Sequence, residues 1–80
     1  MIQSDGILIK TQEHCAEIIR SISKIQQHGS TKYNIEKLER NYGNLLTQFM
    51  LLVDSGVIKK ENIEKYMEHD HEQSNQKNHN

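Results

Sequence analysis

Eighty residues with an apolar fraction of 34% and ten basic against eleven acidic side chains, for a net charge of −1, allow one small domain with a thin core. The even charge balance removes the broad electrostatic footprint of a nucleic-acid-binding protein, so none is expected as partner. The single cysteine, Cys15, rules out an intrachain disulfide, and no apolar run approaches the roughly 18–20 residues of a membrane span.

Residues 1–6, MIQSDG, read as a start segment in which Ser4 or Asp5 serves as a helix cap, Gly6 being a poor helix residue. From Ile7 to His28 the pattern is helical. Leu8, Cys15, Ile18, Ile19, Ile22 and Ile25 recur at spacings of three, four and seven, with Thr11 bridging the gap. This stripe predicts that Cys15 is a buried, inert thiol. Gly29 is placed to end the helix in a left-handed conformation. A short connection, STKYN, offers Thr31 or Asn34 as the next cap.

A second helix is predicted from Ile35 to Asp54, with Leu38, Tyr42, Leu45, Phe49 and Leu52 as its stripe, widened by Leu46 and Val53. Gly43 lies inside it at a cost of about 1 kcal/mol relative to alanine, which suits a close helix contact, a neighbouring ligand or a tolerated weak spot. Gly56 closes this helix. A third runs from Lys60 to His69, with Ile63, Tyr66 and Met67 on one side. Residues 70–80, DHEQSNQKNHN, hold no aliphatic or aromatic side chain, and a disordered polar tail is predicted because nothing there offsets the ordering entropy. The domain is therefore placed at residues 1–69. The fold expected is all-α: a helical hairpin with a short third helix packed across it, two hairpins pairing into a four-helix-bundle homo-oligomer.

Two polar clusters can carry chemistry. Glu13 and Glu17 lie about 40° apart on one helix face, shared by Lys10, Arg20 and Lys24. A solvated face with a Glu17–Arg20 ion pair accounts for them; a Mg²⁺ site needs further oxygen ligands. Asn41, Asn44 and Gln48, extended by Lys37, form a flank of the second helix. Amides hold a hard dication weakly but suit hydrogen bonding to a base edge or a ribose. His69, His71 and His79 stand among acids in the tail without the framework that a metal site requires.

The stretches EHCAEIIRSISKIQQHGS and NIEKLERNYGNLLTQFMLLVDSGVIKKENIEKY resemble the MazG-like nucleotide pyrophosphohydrolases over roughly residues 10 to 67. Members of that all-α family typically carry Glu-Glu-x-x-Glu on one helix and Glu-x-x-Asp on the next. The resemblance implies Mg²⁺ bound by these acids and cleavage of a nucleoside triphosphate to monophosphate and pyrophosphate. It also implies homodimers or homotetramers with the pocket close to the subunit boundary, in a phage-like setting, while the single cysteine fits a reducing cytoplasm. Matched position by position, Glu13 and Glu17 keep the first and last acids. His14, Asn41 and Asn44 replace the other three. Mg²⁺ is then held weakly; a neutral His14 suits Mn²⁺ or Zn²⁺ better. The reading that follows is a nucleotide-binding protein with a degenerate metal site, which binds or sequesters its ligand without efficient hydrolysis. Its ligand residues are Glu17, Arg20, Lys24, Lys37, Asn41, Asn44 and Gln48, with Lys10 and Lys32 as further phosphate contacts. An active pyrophosphohydrolase and a ligand-free helical interaction module are the alternatives.

Overall fold

The computed structural model describes residues 2–78, with side chains from Asp5 to Ser74. It is all-helical, with α1 at Ile2–His28, α2 at Lys32–Ser55 and α3 at Lys60–Asn78, and no strand among the described residues. No described helix is long and apolar enough to cross a membrane.

Two glycines set the ends of the hairpin. Gly29 takes φ +93°, and its N–H bonds the Ile25 carbonyl at 2.8 Å, the single-bond left-handed cap. Thr31 then caps α2, its Oγ1 accepting from the Asn34 N–H at 3.1 Å, and the Asn34 side chain donates back to the Gly29 carbonyl at 3.1 Å. Gly56 takes φ +86°. Its N–H reaches the Val53 carbonyl and that of Val57 the Leu52 carbonyl, the paired bonds of a Schellman motif.

Both hairpin helices start earlier than the sequence pattern suggests. In α1 the helix runs through Gly6, because with no proline nearby one glycine lowers helix stability without interrupting it. In α2 the Thr31 cap admits Lys32, Tyr33 and Asn34 to the first turn. Gly43 has no atom of this chain within 4 Å of where a Cβ would stand, so no close contact within the hairpin explains it.

The principal packing is α1 on α2; α3 makes only marginal contact with the hairpin. The expectation of a third helix packed across the hairpin does not hold, and Tyr66 and Met67 are exposed. Helix also continues past His69 to Asn78, over residues where a disordered polar tail is predicted. His79 lies outside the described residues.

The seam between α1 and α2 follows a strict three–four alternation. On α1 the residues shielded from solvent include Ile7, Thr11, His14, Ile18, Ser21 and Ile25; on α2, Asn34, Leu38, Asn41, Leu45, Gln48 and Leu52. This is coiled-coil spacing in an antiparallel pair, and half of the seam is polar. Only Leu52, Ser21 and Asn41 are buried among the described residues. Cys15, expected inside, is exposed, as are Ile19 and Ile22. The apolar residues of α1 form two adjacent rows, and one partner helix can cover only one of them.

Candidate functional site

At the loop end of the hairpin a concavity of about 420 Å³ opens between α1 and α2, lined by Glu17, Arg20, Ser21, Lys24, His28, Tyr33, Asn34 and Lys37. Helix geometry accounts for this set. Glu17, Arg20 and Lys24 precede the seam positions Ile18, Ser21 and Ile25 by one residue, and His28, four residues after Lys24, continues their row along one edge of α1. Tyr33 and Lys37 hold the same offset from Asn34 and Leu38 on α2. Because the helices are antiparallel, equal offsets put both rows on the same side of the hairpin. Ser21 and Asn34, as seam residues, form the floor.

The lining carries three fixed cations, Arg20, Lys24 and Lys37, against one carboxylate, Glu17. Arg20 donates to that carboxylate at 2.6 Å. This hydrogen bond, with the charge of the guanidinium behind it, lowers the Glu17 pKa below the ordinary 4.5, and Lys37 and His14 add smaller pulls. The Lys37 Nζ lies 6.0 Å from the centroid of the Tyr33 ring, and Tyr33 is 70% exposed. A shallower depression of about 70 Å³ shares Tyr33 and Lys37 and adds Glu36 and Arg40. Cationic groups thus run around the loop end, with an aromatic face among them.

The expected ligand residues separate into three places. Glu17, Arg20, Lys24 and Lys37 share the concavity. Asn41 is in the seam: its side-chain N–H donates to Ser21 Oγ at 2.5 Å and approaches the Glu17 carbonyl at 3.5 Å, while Ser21 Oγ donates to that same carbonyl at 2.9 Å. Its role there is to join the two helices. Gln48, half-buried, and His14 are further seam residues. Asn44 is exposed outside the concavity. So is Glu13, which pairs loosely with Lys10 at 3.9 Å. Lys32 does not line the concavity either. Of residues 13, 17, 41 and 44, Glu17 alone reaches it.

These donors do not fit a hard dication. The Glu17 carboxylate is held by Arg20, Glu13 is turned to Lys10, and the Asn41 amide presents its N–H to oxygen acceptors. No group of three or more His, Cys, Asp or Glu side chains converges among the described residues. Mg²⁺ needs oxygen ligands arranged near an octahedron, and no such set is assembled.

Sequence reasoning missed His28 and Tyr33, and gave Ser21, on the polar face of α1, and Asn34, a cap candidate, no part in the site. The signal for His28 was available: Glu17, Arg20, Lys24 and His28 recur at three and four residues, and the short loop brings Tyr33 and Lys37 back beside them. No protein-family model, curated protein or solved structure matches this chain.

Proposed function

We propose that the protein binds a nucleotide or nucleotide-derived anion in the basic concavity at the loop end of its hairpin, and that it sequesters or senses this ligand without efficient hydrolysis. The observation that supports the reading most is the convergence of Arg20, Lys24 and Lys37 beside an exposed Tyr33 ring, with the one lining carboxylate neutralised by Arg20. Lysine and arginine bind phosphate oxygens through charge-assisted hydrogen bonds, and an open tyrosine face suits a planar base. A site that already carries cations takes a phosphate without a bridging metal. The resemblance to MazG-like proteins gives the ligand class. The same reading has the chain act as a homodimer or homotetramer in the cytoplasm.

The test is isothermal titration with nucleoside mono-, di- and triphosphates and cyclic dinucleotides, without added metal. At least one should give a saturable heat that weakens with salt. Replacing both Lys24 and Lys37 by alanine should weaken it by roughly 10–100-fold, the loss of one to two charge-assisted hydrogen bonds. Absence of heat for every ligand at millimolar concentration defeats the proposal. Pyrophosphate release with Mg²⁺ or Mn²⁺, abolished by Glu17→Gln, establishes an enzyme instead.

A further inference from the structure

The side of the hairpin opposite the concavity is apolar. Leu8, Ile19 and Ile22 follow the α1 seam positions by one residue, and Tyr42, Leu46 and Phe49 follow those of α2 in the same way. Equal offsets in an antiparallel pair place both rows on one side, turned away from Arg20, Lys24 and Lys37. Five of these six side chains are exposed and Phe49 is half-buried. Between Cys15 and Ile22 and between Tyr42 and Phe49, the residues on this face carry no charge.

We infer that a second copy of this chain covers the apolar face, and that the basic concavities lie outward, each completed within a single chain. Three observations select a second copy. The smallest principal extent of the molecule is 14 Å, one layer of helices, whereas a domain needs two packed layers to enclose a core. Leu52 is the one buried hydrophobic residue among those described, so the hairpin has almost no interior of its own. The accessible surface is 6631 Å², against roughly 5,000 Å² for a compact chain of this mass. Part of that excess is α3 standing off; the total is ample for the roughly 800 Å² per partner of a standard interface. An uncharged face suits another uncharged face, and a two-fold axis through it gives a closed four-helix arrangement. This differs from the arrangement that the MazG-like resemblance implies, with the pocket close to the subunit boundary. The inference stands on the apolar face and holds whether or not the concavity takes a nucleotide.

Cys15 lies in the α1 row between Leu8 and Ile19 and is a native reporter. The experiment combines sedimentation over a concentration series with the rate at which Ellman's reagent modifies Cys15 in the full chain. The expected result is twice the 9.4 kDa chain mass at high concentration, with Cys15 reacting at least about tenfold more slowly than in the denatured chain and faster on dilution. Ile19→Lys should give the monomer mass and a fast thiol. Lys24→Glu, on the opposite face, should change neither. Three results overturn the inference: a monomer at every concentration with a fast thiol; a monomer with a protected thiol, which makes α3 of the same chain the cover; and an association disrupted by Lys24→Glu but not by Ile19→Lys. The unmodified chain alone decides the first two, so a misfolded variant leaves the inference exposed to failure.

Discussion

The seam between α1 and α2 is half polar, whereas the outer face of the same hairpin carries an apolar row on each helix. The seam, where burial is greatest, holds Thr11, His14, Ser21, Asn34, Asn41 and Gln48 interspersed with isoleucines and leucines. The outer face, open to solvent, holds Leu8, Ile19, Ile22, Tyr42 and Leu46. Apolar burial is the dominant favourable contribution to folding, and a lone hairpin leaves the share of the outer face unused. The difference teaches that the seam sets how the two helices align, while the outer face holds apolar surface that the single chain does not cover. A buried polar pair is well suited to setting alignment. Ser21 and Asn41 satisfy each other in one register only, as single buried polar residues do in coiled coils.

The sharpest way to break this division is to truncate Ile22, which the single chain leaves 44% exposed. If a second copy covers it, Ile22→Ala should cost about 2–5 kcal/mol, the range for a buried isoleucine, and the thermal midpoint should depend on protein concentration. A loss within about 0.5 kcal/mol, independent of concentration, would mean that the residue stays wet. Chemical denaturation at two protein concentrations reads the energy, and thermal melts at the same two read the midpoint.

The next effect is in the seam. Asn41→Asp should destabilise by about 1–3 kcal/mol in urea denaturation at neutral pH. The Asn41 side-chain N–H faces Ser21 Oγ and the Glu17 carbonyl, and the Ser21 proton is already given to that carbonyl. An ionised carboxylate would face the Glu17 carbonyl with no donor to offer, and the single Ser21 proton could serve only one of the two acceptors. Asn41→Leu removes the buried amide and should cost less, with looser helix register visible as broadened amide resonances. A neutral Asn41→Asp would refute the role given to this pair.

Much of the hairpin was legible in the sequence, for local reasons. Gly29 and Gly56 stop their helices where a positive φ is needed, and the basic residues Arg20, Lys24 and Lys37 meet across a short loop. What misled was the choice between two apolar rows on α1. Periodicity weighs Ile18, Ile19, Ile22 and Ile25 alike. The packing separates them because Ser21 and Asn41 form a hydrogen bond between helices, and composition along one helix does not show a bond between two. The same choice put Cys15 inside in expectation and outside in fact. The end of α3 was illegible for a different reason: helix over residues 70–78 owes nothing to an apolar stripe, the one signal that periodicity detects.

The smallest effect concerns how Arg20 is used. Its hydrogen bond and charge hold the Glu17 carboxyl below the ordinary 4.5, so Glu17 should titrate below that value by carboxyl-resolved NMR, and Arg20→Gln should bring the midpoint back towards it. A lowered carboxyl pKa stabilises the fold above the unfolded value, and that contribution is lost as pH falls below 4.5 through the lowered folded value. Both side chains are largely solvated, so the stability change is slight. The effect on the concavity is more useful. Protonating Glu17 removes the one lining carboxylate and releases Arg20, so anion binding should tighten as pH falls through the Glu17 midpoint, and that gain should shrink in Arg20→Gln, where only the lost carboxylate charge remains to act. If Glu17 instead titrates at its ordinary value in the native chain, the ion pair does not persist in solution, and Arg20 is already free to meet a phosphate at neutral pH.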